Sequence, residues 1–201
     1  MAHLCLHNSL LIEGVDFSGD ERVNREIHAP MTFSVLLYPG KDSIDLSAQP
    51  ADERFTLAPG GKTLVVFVLD GTWKSVRKMI RLSRNVASFP TIRFMPPAVS
   101  SYRIRRQPKP HYYSTVEAIH HVIEHFTPSS EGRSGRSMPH DNLLKVFNAV
   151  VARQIAYGPH GQNSFPHPPV CLSGGENRVV CITISIYNDA SKVDHGSYPY
   201  S

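Results

Sequence analysis

No apolar run in this sequence approaches the roughly 20 residues that a membrane-spanning helix requires, so a transmembrane segment is not expected. The opening stretch MAHLCLHNSLLI lacks the basic start and small-residue cleavage site of a secretory signal. A soluble protein kept in the cytoplasm or nucleus is the expectation. Cysteine is scarce: Cys5, Cys171 and Cys181 are odd in number, far apart and form no CxxC pair. That argues against a disulfide framework and a zinc ribbon. Pro59-Gly60-Gly61 lacks the Lys and Ser/Thr of a phosphate-binding loop and precedes a strand-like run, so it reads as a turn. No internal repeat is present.

With 41% hydrophobic residues among 201, wholesale disorder is ruled out and one domain plus a tail is expected. The net charge is +4, and much of the positive charge falls in two short stretches. Together with an isoelectric point near 9.0, this clustering points to a polyanionic partner.

Residues 31–38 and 62–69 are short runs rich in Val, Leu and Phe, each bounded by Pro or Gly. Both predict buried strands, neighbours in a parallel sheet. Thr91 to Met95 is a third strand candidate, stopped by Pro96 and Pro97. Apolar residues recur at helical spacing through Trp73, Val76, Met79 and Ile80, again from Val116 to Phe126, and from Leu143 to Ile155. Alternation of strand and helix makes α/β the predicted class. Residues 127–140 are rich in Ser, Gly, Pro and Arg and predict a mobile surface loop. Beyond Tyr157 the composition turns loop-like again, with Val179 to Tyr187 as one possible strand.

Three motifs carry a resemblance. The run ending at Leu69 leads into Asp70-Gly71-Thr72-Trp73; further on stand Ser101-Tyr102-Arg103-Ile104-Arg105 and then Ser114-Thr115-Val116-Glu117-Ala118. The chain resembles the DTW-domain family, whose DGTW, SYxxR and STxEA elements occur in that order. Leu36-Leu37-Tyr38-Pro39-Gly40 resembles the family's LLYPG strand end, and Phe147 to Gln154 its final helix. Residues 1–157 are thus read as the family domain, without the cysteine-bearing segment that family members carry upstream. Residues 158–201 form an atypical tail, expected to be partly disordered.

The resemblance implies a SPOUT-like α/β sheet with flanking helices and a knotted region that binds S-adenosylmethionine (SAM). It implies transfer of the 3-amino-3-carboxypropyl (acp) group of SAM to N3 of a uridine in tRNA. The implied cofactor contacts are Leu37, Tyr38, Pro39, Gly40, Leu69, Ser114, Thr115 and Glu117, and the implied catalytic group is Asp70, Thr72 and Trp73. No metal is expected. A non-catalytic RNA-binding module and a SAM-dependent RNA methyltransferase are the alternative functions.

Residue chemistry leaves several roles open. Asp70 ends a strand where open α/β sheets put their ligands, yet an Asp there also suits a helix N-cap. Trp73, the only tryptophan, suits either a pocket wall or the core. Ser114 and Glu117 have capping-box spacing, and a capped helix start also offers backbone N–H groups to a carboxylate. Leu37 to Gly40 suits a plain strand-ending turn equally well. Tyr102, Arg103, Arg105, Arg106 and Lys109 mix cations with aromatic faces near Tyr112 and Tyr113, as a loop that grips phosphate and stacks a base would. Lys74, Arg77, Lys78, Arg81 and Arg84 recur at helical spacing, either as a second RNA contact or as an ordinary solvated face.

His121-Val122-Ile123-Glu124-His125 matches a short metallopeptidase pattern. With no further ligand identifiable, both histidines are assigned to a polar outer helix face.

Overall fold

The computed structural model describes residues 2–102, 104, 112–127, 138–157 and 180–186, with 180–185 by backbone alone. Six strands build one sheet: β1 (Ser9–Glu13), β2 (Thr32–Leu37), β3 (Ile44–Asp45), β4 (Thr63–Asp70), β5 (Thr91–Arg93) and β6 (Val180–Ile186). Their order is β1-β6-β4-β2-β5-β3. The four strands from β4 to β3 are parallel, and β6 runs antiparallel to both of its neighbours, β1 and β4. Among the described residues, seven α-helices accompany them: α1 (Ala2–Cys5), α2 (Glu21–His28), α3 (Ala51–Phe55), α4 (Trp73–Leu82), α5 (Arg84–Ala87), α6 (Thr115–His125) and α7 (Asp141–Ala156). The chain is therefore α/β, as its pattern predicts. Among the described residues, no helix is long and apolar enough to cross a membrane.

The two strongest apolar runs are neighbours, with Thr32 opposite Thr63 and Leu37 opposite Val68. Residues of β4 from Leu64 to Leu69 are all buried, because helices cover both faces of the sheet. Successive side chains alternate between those faces. Leu64, Val66 and Val68 pack with Ile119, Val122 and Phe126 of α6 and Leu143 of α7. Val65, Phe67 and Leu69 meet Val23 of α2, Val76 and Met79 of α4 and Val86 of α5. Each such side chain contributes about 1.5–3 kcal/mol by leaving water, so β4 is the rigid centre from which the site is built.

β6 lies between β1 and β4, with Asp70 opposite Val180 and Leu64 opposite Ile186. The strand expected in the tail thus completes the sheet. Residues 128–137, within the expected loop, and the rest of the tail lie outside the described residues.

Two expectations need correction. His121 and His125 do not form a polar outer face. The His121 ring stands 5.7 Å and the His125 ring 5.8 Å from the Phe94 ring, and Arg54 Nη1 donates to His125 Nδ1 at 2.6 Å. Burial pushes both imidazoles below their usual pKa, reinforced by His120 beside the first and Arg54 beside the second. The physical reason is that α6 packs against the sheet, α7 and the rings of Phe94 and Tyr113, which leaves little of it open to water. The second correction concerns Arg84, which opens α5 instead of continuing α4. The basic series on α4 is therefore Lys74, Arg77, Lys78 and Arg81.

Candidate functional site

A cavity of ≈ 580 Å³ opens at the carboxyl ends of the parallel strands. β2 supplies Leu37 with Tyr38 and Pro39 after it; β4 supplies Val68, Leu69 and Asp70; β3 supplies Asp45; β5 supplies Arg93, with Phe94, Met95 and Pro96 following. Ligands of open α/β sheets bind at this end, and the size suits a nucleoside-sized molecule. Ser114, Thr115 and Ala118 from the start of α6 close one side.

The local sequence explains this placement. Gly71 and Thr72 turn the chain from β4 into α4, and the Thr72 side chain caps the helix by accepting from Ser75 N at 3.2 Å. The cap position is thus held by Thr72, and the carboxylate of Asp70 faces a different partner. Thr115 Oγ1 donates to Asp70 Oδ1 at 2.6 Å, across the gap between β4 and α6. Among the described residues, Asp70 Oδ2 has no hydrogen-bond partner in this arrangement.

Aromatic rings form one wall. Trp73 is 37% exposed, with the Tyr112 ring 4.9 Å and the Tyr38 ring 6.4 Å from it, both tilted. The core-packing alternative for Trp73 is therefore set aside. Offset or tilted aromatic faces of this kind accept a flat heterocycle by stacking.

Glu117 lies just below. It is 5% exposed and accepts hydrogen bonds from Ser100 Oγ, Ser101 N, Ser101 Oγ, Ser114 N and Ser114 Oγ, all at 2.8–3.0 Å. Burial raises the pKa of its carboxyl, but these donors outweigh burial and hold it below the usual range. Ser114 in turn caps α6 by accepting from Glu117 N, completing the capping box. The serines of the SYxxR and STxEA motifs are thus joined through one buried carboxylate.

Of the residues singled out from sequence, Leu37, Tyr38, Pro39, Leu69, Asp70, Thr72, Trp73, Ser114 and Thr115 line the cavity together. Gly40 and Glu117 do not. Gly40 N donates to Ser43 Oγ at 2.8 Å, and a Cβ there would meet that oxygen at 3.0 Å, which explains the glycine as a close turn. The Tyr102 ring lies tilted against Phe147 of α7, with ring centroids 5.5 Å apart, and Tyr102 is not among the lining residues. Arg103, Arg105, Arg106 and Lys109 lie outside the described residues. Sequence reasoning missed Asp45, Arg93, Phe94 and Met95, although the position of the last three in or after a predicted strand was an available signal. Arg93 and Asp45 pair at 3.3 Å.

A second hollow of ≈ 530 Å³ follows α4 and is lined by Thr72, Lys74, Ser75, Arg77, Lys78 and Arg81. It shares Thr72 with the first, so four cations stand beside the cavity mouth.

A family model described as the DTW domain matches residues 1–155. The chain belongs to the DTW-domain family. This DTW-domain chain is similar to tRNA-uridine aminocarboxypropyltransferase 2 of Drosophila melanogaster, with 27% identity over 148 residues. The match covers 73% of this chain and 55% of the relative, so the chain spans about half the length of the curated relative it matches. No solved structure matches it.

Proposed function

We propose that this DTW-domain chain transfers the acp group of SAM to N3 of a uridine in tRNA. The observation that carries the reading is the Asp70 carboxylate, held by Thr115 at the mouth of a strand-end cavity, between an aromatic wall and a row of cations.

The residues fit the cofactor. Tyr38, Trp73 and Tyr112 offer faces for the adenine or the target base. At the start of α6 the Ser114 cap engages Glu117 N, while helix geometry leaves the N–H groups of Thr115 and Val116 without an intrahelical acceptor. Such a terminus suits the carboxylate of the methionine moiety. Leu37, Pro39 and Leu69 give the apolar floor, and the SPOUT-like knotted cofactor region implied by the family is part of this reading. When bound, SAM supplies the electrophile: uridine N3 bonds to the carbon beside the sulfonium, that carbon–sulfur bond breaks with its electron pair, and neutral methylthioadenosine leaves.

Asp70 takes the N3 proton on Oδ2 while Thr115 fixes Oδ1, so the base is oriented before the uridine arrives. Trp73 and Tyr112 stack the base drawn out of the tRNA. Lys74, Arg77, Lys78 and Arg81 hold the flanking phosphates, with Arg103, Arg105, Arg106 and Lys109 as further candidates.

Mass spectrometry of tRNA nucleosides after incubation with the protein and SAM tests the reading. Acp-uridine is the expected product. A methylated nucleoside would make the chain a methyltransferase, and tRNA binding with no SAM heat in calorimetry would make it a non-catalytic RNA binder.

A further inference from the structure

Away from the strand-end cavity, α6 and α7 bring together four side chains of metal-ligating type: His120, Glu124, His140 and Asp141. One donor atom from each lies within 4.8 Å of all the others. His120 and Glu124 are one turn apart on α6, and His140 and Asp141 meet them at the start of α7. With a rise of 1.5 Å per residue, this group stands roughly 8–14 Å along the helix from Thr115. We propose that it is a divalent transition-metal site, with zinc the best match, which staples α6 to α7.

The donor set supports this. Two imidazoles and two carboxylates are borderline-to-hard ligands suited to zinc, and two carboxylate charges balance a dication. His120 Nε2 lies 3.2 Å from Asp141 Oδ1, His140 Nε2 is in contact with Glu124 Oε1, and the two imidazole rings are 5.2 Å apart. Tetrahedral bonds of about 2.0–2.1 Å would hold the donors about 3.3 Å apart.

Burial sets both imidazoles apart from ordinary surface histidines: His120 is 8% and His140 6% exposed, and His120 turns its Nε2 toward Asp141. The carboxylates of Glu124 and Asp141 are 43% and 32% exposed, which gives an ion a way in. Four protein donors leave no open position, so the site is structural and not catalytic. The metallopeptidase-like pattern around it is off by one residue: His120, not His121, shares the site with Glu124.

The test uses the full chain, stripped with a chelator and titrated with zinc chloride. One equivalent of zinc should bind, and zinc at about 100-fold over its Kd should raise Tm by about 5–10 °C. Cobalt in its place should give a visible absorption band without a thiolate charge-transfer band. Glu124→Gln changes a half-exposed helix position, and with His120→Gln it should weaken zinc by at least about 100-fold, more than loss of an outer partner costs. His121→Gln should leave zinc binding unchanged. Absence of a bound equivalent, an unchanged Tm, a thiolate band, or zinc retained by both ligand variants would each overturn the site.

Discussion

The hydroxyl of Thr115 donates to the carboxylate of Asp70 at 2.6 Å, joining the end of β4 to the first turn of α6. Two motifs that lie far apart in the chain therefore meet at one hydrogen bond, and Thr72 caps α4 in its own right. A capping role no longer competes with a chemical role for Asp70.

Asp70→Asn should therefore leave folding stability nearly unchanged, since the residue is exposed and caps nothing. It removes the basic lone pair, so acp-uridine formation should fall about 10²–10⁴-fold while SAM and tRNA still bind. Thr115→Val, which removes only the orienting donor, should lower turnover by less. Near-normal turnover by Asp70→Asn would show that the proton goes elsewhere.

Thr72→Ala separates the cap from the chemistry in the opposite sense. Loss of the side-chain acceptor for Ser75 N should cost about 0.5–2 kcal/mol in denaturant unfolding. A variant as stable as the parent would mean that the Ser75 hydroxyl, 2.8 Å from Thr72 Oγ1, replaces the cap unaided.

Neutralising Arg77, Lys78 and Arg81 together with Gln should weaken tRNA binding across sequences. For every phosphate that these side chains no longer neutralise, the slope of log K against log salt should flatten by about 1. SAM affinity should hardly change. A slope unaltered by the triple variant would assign this row to the solvated surface of α4.

What the sequence made legible follows from how local the determinants are. β2 and β4 announced themselves because both faces are covered, leaving continuous apolar runs. β1, β3, α2 and α3 did not: β3 is two residues long, and β1 finds its partner in β6, near the other end of the chain. The same contrast holds in the site. Asp70, Thr72 and Trp73 were readable because they stand at and just past the end of a strand, and Ser114 and Glu117 because a capping box is a local pattern. Whether Asp70 caps could not be read, since it depends on which residue starts α4. The inward packing of His121 and His125 depends on Phe94 and Arg54, residues contributed by distant segments.

Glu117 makes stability depend on pH in the acid range, with the sign set by its depressed pKa. A carboxyl held below its ordinary value of 4.5 contributes stability that is fully present above that value and is lost as the pH falls through the lower folded value. Glu117→Gln keeps the side-chain shape but replaces one acceptor oxygen by an N–H₂ group facing the serine donors. At neutral pH that should cost about 1–3 kcal/mol, a fall in Tm of roughly 2–12 °C for a chain of this size. As the pH falls from 4.5 through the lower folded value, the parent protonates its own carboxyl and surrenders the same advantage, so the two unfolding curves should converge. Because Glu117 also fixes Ser101 and Ser114, SAM affinity should drop in the variant without any change at Asp70. A constant gap between parent and variant across the acid range would show that the serines are held by something other than the charge of this carboxylate.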